Sequence, residues 1–104
     1  MEKKQILAEL GDIPERVYDE LVVEAFEQGR RQVAEIQKRC AGKDLACAAA
    51  VAHSIKGCFA NLRLPEISDA AREVESALRC KTAAKELPVL LAVLGGMFSS
   101  RRKA

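Results

Sequence analysis

The chain has 104 residues, of which 49% are hydrophobic and only 4% aromatic, and its net charge is +2. This length favours one domain over residues 1–104 that buries a core without disulfides or metal, and the hydrophobic share argues against disorder. The charge is too small to indicate nucleic-acid binding, the chain has no apolar tract of about 18 residues that could span a membrane, and the N-terminus does not resemble a signal peptide. Free thiols in a reducing cytoplasm are the simplest account of the four cysteines, so we expect a cytoplasmic protein, and we expect it to be a monomer.

Apolar residues recur at helical spacing along almost the whole chain. The predicted helices span about residues 2–10, 14–40, 44–62, 65–80 and 82–100. Gly11 and Gly42 end the first two helices. The signals that begin the later helices are Asp12 with Pro14, Asp44, Pro65 and Thr82. Because the connections are short, neighbouring helices should be antiparallel. The prediction is an all-α fold: an up-down-up-down antiparallel four-helix bundle with a short N-terminal leading helix.

The third helix separates a core face from an unusually bare outer face. On a helical wheel, the residues of its predicted core sector are Leu45, Ala48, Val51, Ala52, Ile55, Phe59 and Leu62. His53 falls roughly 160° from Ile55 and therefore points into solvent. The residues predicted to surround it on the outer face are all small: Ala46, Ala49, Ala50, Gly57 and Ala60. A lone imidazole on such a surface can be approached closely by another protein.

The neighbours of His53 are suited to phosphoryl chemistry. Lys56 and Gly57 follow it by three and four residues and share its face. A neutral imidazole is a nucleophile at its unprotonated nitrogen, and an ammonium nearby attracts phosphoryl oxygens. Gly57 costs a helix about 1 kcal/mol relative to Ala, which close approach of a partner would offset. A carboxylate on the fourth helix could fix the ring's tautomer. The candidates, in order of preference, are Glu75, Glu73 and Asp69.

Each of these residues also has an ordinary structural explanation. A single exposed histidine is usually a surface residue, and Lys56 alone is a solvated charge. Gly57 alone could reflect tight helix packing, and Glu75 alone could pair with Arg72 or Arg79 at helical spacing. What favours a phosphoryl carrier is the combination: a single histidine opposite the core, on a face of small residues, with Lys56 and Gly57 one turn further on.

The segment Ala52-His53-Ser54-Ile55-Lys56-Gly57 resembles the signature of histidine phosphotransfer (HPt) domains, which reads His, any residue, Leu or Ile, Lys, Gly. The similarity continues through Ala60-Asn61-Leu62 and extends over about residues 12 to 100. The resemblance implies a four-helix bundle with His53 phosphorylated, Lys56 as electrostatic helper and Gly57 as the clearance position. Glu75 matches a position where some members keep a carboxylate beside the ring. Arg63 departs from the family, which often has Gly there, so a charged residue could rim the docking surface.

By this resemblance the chain is a phosphorelay intermediate that exchanges a phosphoryl group with an aspartate of a response-regulator receiver domain. A sensor histidine kinase or hybrid kinase would be a further partner. The chain itself should bind no cofactor or metal, since its four cysteines lack CxxC spacing, and Mg²⁺ is expected on the receiver. The absence of a Gly-rich nucleotide loop argues against autonomous kinase activity.

Two alternatives stay open at this point. One is the N-terminal phosphotransfer domain of a chemotaxis-type histidine kinase, phosphorylated in trans. The other is a non-phosphorylated helical interaction module, which predicts that His53→Gln leaves partner binding intact.

Overall fold

The computed structural model describes residues 3–80 and 86–100. All regular secondary structure in these residues is α-helical. The helices are α1 (Lys3–Glu9), α2 (Glu15–Ala41), α3 (Leu45–Asn61), α4 (Pro65–Arg79) and α5 (Leu87–Ser100). The all-α class is therefore confirmed. The predicted start of the last helix at Thr82 lies outside the described residues. Within those residues, no helix has the combined length and apolar character required to cross a bilayer.

The four longer helices form a bundle in which α2 and α4 each contact both α3 and α5. Side-chain hydrogen bonds establish the relative directions of three of them. Near the start of α2, the Tyr18 hydroxyl donates to the carbonyl of Leu62, just beyond α3, at 2.6 Å. Near the start of α4, the Ser68 hydroxyl donates to the carbonyl of Lys56, in the second half of α3, at 3.0 Å. Thus α3 runs antiparallel to both α2 and α4.

Three aromatic rings from three helices meet in the core. Phe26 of α2 lies with its ring centroid 5.5 Å from those of both Phe59 and Phe98, and the latter two centroids are 5.3 Å apart. The two contacts of Phe26 are edge-to-face, and such contacts add to the stabilisation from burial. A Cβ atom built on Gly29 would lie 2.5 Å from Cζ of Phe98, so the absence of a side chain there lets α5 pack directly on the α2 backbone.

The helix starts agree with the predicted signals in two of three testable cases. Asp44 caps α3, because its Oδ1 accepts a hydrogen bond from the Cys47 N–H at 3.3 Å, and Pro65 is the first residue of α4. The prediction that Asp12 caps α2 is wrong. Pro14 occupies the N-cap position, and Asp12 instead has a φ of 58° in the turn that follows α1.

Two helix ends use a non-glycine residue in the left-handed conformation. α2 ends at Ala41, directly before Gly42 as predicted, but Gly42 has an ordinary φ of −83° and the left-handed residue is Lys43, with φ 62°. After α3 the corresponding residue is Arg63, with φ 60°. In both turns the next N–H reaches back to the helix: Asp44 to the Arg39 carbonyl and Leu64 to the Phe59 carbonyl, at 2.8 and 2.9 Å. This is the hydrogen-bond pattern of the Schellman motif.

Candidate functional site

The core face of α3 follows the predicted sector with two exceptions. Ala48, Ala52, Ile55 and Phe59 are completely buried. Leu45, predicted to be in the core, is 36% exposed because it is the first residue of α3, at the end of the bundle. Ala49, predicted on the outer face, is only 1% exposed. The reason is that α3 packs against both α2 and α4, so it buries a wider sector than a single stripe.

His53 projects outward from α3, and its side chain is 61% exposed. Four small residues around it are exposed as well: Ala46, Ala50, Gly57 and Ala60. A Cβ atom built on Gly57 would meet no atom of the described chain within 4 Å. Within the described residues, tight helix packing therefore does not account for Gly57, and the surface beside the imidazole is open.

Glu75 of α4 reaches the imidazole from the neighbouring helix. Its Oε2 and Oε1 lie 3.2 and 3.3 Å from Nδ1 of His53. Because an ionised carboxylate can only accept a hydrogen bond, this contact favours the tautomer of the neutral imidazole that has its proton on Nδ1 and its lone pair on Nε2. The other two candidate carboxylates, Glu73 and Asp69, are exposed, and Asp69 forms an ion pair with Arg72 at 3.6 Å. Of the three candidates, Glu75 is the one that contacts the ring.

The Glu75 carboxylate is largely buried and surrounded by donors. Its side chain is 12% exposed, and it lies 3.0 Å from Nε of Arg79 and 3.4 Å from Nζ of Lys56. Burial alone raises the pKa of Glu75, but hydrogen bonds from Arg79, His53 and Lys56 outweigh it, so the pKa lies below its ordinary value of 4.5. Glu75 is therefore a carboxylate anion at neutral pH.

The structure thus brings His53, Lys56 and Glu75 into one cluster, with Gly57 beside it. From the sequence alone, pairing of Glu75 with Arg79 was an alternative to contact between Glu75 and His53. In the structure the carboxylate makes both contacts, and its Oε2 is shared between them. The four-residue spacing from Glu75 to Arg79 was the available signal for this pair.

Arg63, where the resemblance expects glycine, bonds to α1 and to the C-terminal end of α3. Its Nε donates to Oε1 of Glu9 in α1 at 2.9 Å, and its NH1 donates to the carbonyls of Ala60 and Asn61. The side chain therefore satisfies carbonyls at the C-terminal end of α3 and ties that end to α1. The left-handed φ of Arg63 also explains why glycine suits this position.

Comparison with protein families gives one match for the chain. A family model described as Hpt domain matches residues 20–102, which include His53, Lys56, Gly57 and Glu75. Comparisons with curated proteins and with solved structures returned no match. In the described part of the chain, no group of three or more acidic, histidine or cysteine side chains is arranged to hold a metal ion.

Proposed function

Because the chain belongs to the Hpt domain family, we propose that it is a phosphorelay intermediate that carries a phosphoryl group on His53. Hpt domains are phosphocarriers that work with kinases and response regulators in two-component systems. The observation that carries the assignment to His53 is its contact with Glu75. That contact occupies Nδ1 and leaves Nε2 as the nucleophile on an exposed side chain.

The geometry supports a transfer that requires no proton movement within this chain. The lone pair of Nε2 attacks the phosphorus of an aspartyl phosphate on the receiver domain. A P–N bond forms while the P–O bond to the aspartate breaks, and the electron pair leaves with the aspartate carboxylate. Nδ1 keeps its proton, so the ring becomes positively charged, and the Glu75 carboxylate 3.2 Å away stabilises that charge. The reverse transfer follows the same path.

Lys56 and Gly57 are assigned supporting roles in this proposal. The Lys56 ammonium, one helical turn from His53, attracts the oxygens of the phosphoryl group. Gly57 leaves room for the receiver domain beside the imidazole. The receiver supplies the aspartate together with Mg²⁺, which shields negative charge during transfer. Because this chain supplies only the nucleophile and the docking surface, we do not expect autonomous kinase activity.

The proposal is tested by incubating the chain with radiolabelled, phosphorylated receiver domains. We expect label on the chain that is labile in acid and stable in base. His53 is the only histidine, so His53→Gln should abolish this label, whereas Ser54→Ala, at the exposed adjacent position, should retain it. Label that survives His53→Gln would contradict the assignment. An interaction module without phosphorylation would give no label in the wild type.

The Glu75 contact also favours a second candidate. A carboxylate beside the ring is the feature by which the chain resembles the phosphotransfer domain of chemotaxis-type kinases. In that case the donor would be ATP, used by a separate kinase domain that acts in trans. Faster labelling of His53 from ATP and such a kinase domain than from phosphorylated receivers would support this candidate over the relay between receivers.

A further inference from the structure

Arg79 has no role in the transfer described so far, although it makes the shortest contact with Glu75. We propose that Arg79 is a positioning residue, which holds the Glu75 carboxylate so that the proton of His53 stays on Nδ1 and Nε2 stays free. The inference rests on the proposed function, because it assigns a purpose to the geometry of the same site.

The contacts place Arg79 and His53 on the same oxygen. Nε of Arg79 lies 3.0 Å from Oε2 of Glu75, and Nδ1 of His53 lies 3.2 Å from that atom. Glu75 has three side-chain torsions, so burial alone does not direct its oxygens at the ring. The planar Arg79 guanidinium, one turn further along α4, restricts the carboxylate through a directional charge-assisted hydrogen bond.

Lys56 is less suited to this positioning task. Its Nζ is 3.4 Å from Oε1, the longest of the contacts to the carboxylate. A phosphoryl group on Nε2 would compete with Glu75 for the Lys56 ammonium, because both are anionic. Arg79 is then the basic side chain that stays on Glu75 beside the phosphorylated, positively charged ring of His53. The structure thus separates two cationic roles, one toward the phosphoryl group and one toward the carboxylate.

The experiment compares Arg79→Gln and Arg79→Lys with Arg72→Gln as a matched control. Arg72 lies on the same helix, is similarly exposed and pairs with Asp69 instead of Glu75. The tautomer of His53 is read from its ring ¹⁵N shifts by NMR, which a single histidine makes unambiguous. The rate of phosphoryl transfer from a receiver domain is measured on the same samples.

We expect the wild type and Arg72→Gln to hold the proton mainly on Nδ1. Arg79→Gln should increase the share of the Nε2–H tautomer and slow transfer about two- to fivefold, the effect of an exposed ion pair. Arg79→Lys should partly restore both the share of the Nδ1–H tautomer and the transfer rate, since it restores the charge without the planar geometry.

Unchanged tautomer shares and transfer rates in Arg79→Gln would overturn the inference. Equal effects of Arg72→Gln and Arg79→Gln would also overturn it, because they would indicate a general effect of charge. If the wild type accepts no label from any receiver, the proposed function fails, and the tautomer measurement still decides whether Arg79 positions Glu75.

Discussion

At the scale of single residues, the imidazole of His53 has two nitrogens in different surroundings. Nδ1 faces the carboxylate of Glu75, whose side chain is 12% exposed, whereas the side chain of His53 itself is 61% exposed. The asymmetry arises from the position of His53 on α3, which turns one edge of the ring toward α4 and leaves the other exposed. One edge of the ring therefore faces a carboxylate of the neighbouring helix, and the other edge faces solvent.

Gly57 provides a test of the open surface beside the ring. Gly57→Ala should raise the free energy of unfolding by about 0.5–1 kcal/mol, because glycine weakens a helix, yet slow phosphoryl transfer, because a methyl group enters the docking surface. Gly96→Ala is the matched control, since Gly96 is also an exposed helical glycine with no atom within 4 Å of a built Cβ. It should give the same stabilisation in urea denaturation with unchanged transfer. Equal transfer rates in both variants would contradict the clearance role of Gly57.

The residues of the site were predictable from the sequence to different degrees. The outward direction of His53 follows from helical periodicity alone, because the core residues of α3 fix the rotation of the helix. Glu75 was preferred over Glu73 and Asp69 as a carboxylate of the fourth helix before any family was considered, and the resemblance then favoured the same residue. The sharing of Oε2 between His53 and Arg79 was not predictable, since spacing shows which side chains can meet but not that one oxygen serves two donors.

At the scale of helices, the turns after α2 and α3 place a long, charged side chain where the backbone favours glycine. The left-handed conformation costs an L-residue about 1–2 kcal/mol. Backbone hydrogen bonds of the Schellman pattern compensate for this cost in both turns. Arg63 recovers more through its bonds to Glu9 and to α3 carbonyls. The two turns therefore differ in how well they would accept glycine.

Lys43→Gly should stabilise the protein. We expect the free energy of unfolding to rise by about 0.5–1 kcal/mol, because relief of the left-handed strain exceeds the added freedom of the unfolded chain. Gly42→Ala is the control, since Gly42 has a φ of −83° and a Cβ there would approach no atom closer than 3.7 Å. It should leave the stability unchanged or slightly higher. Stability is measured by urea denaturation. A loss of stability in Lys43→Gly would show that the Lys43 side chain stabilises the protein by more than its left-handed backbone conformation destabilises it.

The same two turns show what the sequence could predict about the helices. Glycine, proline and aspartate marked the ends of most helices within a few residues, because these residues have strong local preferences. Lys43 and Arg63 gave no such signal, since their conformation is imposed by hydrogen bonds to the preceding helix. Ala49 was assigned to the wrong face because a single wheel cannot show that α3 has neighbours on two sides.

At the scale of the whole molecule, the Glu75 cluster links the titration of one carboxylate to the stability of the bundle. The pKa of Glu75 is lower in the folded protein than its ordinary value of 4.5. Its contribution to stability is therefore complete above that ordinary value and is lost as the pH falls through the lower pKa of the folded state. Acid should thus weaken the attachment of α4 to α3.

Glu75→Gln should make stability less dependent on pH in this acidic range. We expect a smaller decrease of the urea midpoint between neutral pH and about pH 3 than in the wild type, because the lost carboxylate no longer binds a proton on unfolding. Glu73→Gln, at an exposed position of the same helix, serves as the control and should keep the wild-type decrease. Identical pH profiles for Glu75→Gln and the wild type would show that the cluster does not stabilise the fold.

His53 and Glu75 lie on different helices, so in the proposed transfer the reactivity of the imidazole would depend on folding. If α3 and α4 come apart, the imidazole loses the anion that holds its proton on one nitrogen, and the docking surface is lost with it. A misfolded or proteolytically nicked copy would therefore be a poor acceptor and would draw few phosphoryl groups from the pathway. Phosphoryl groups would then pass mainly through correctly folded molecules, without a separate quality-control mechanism.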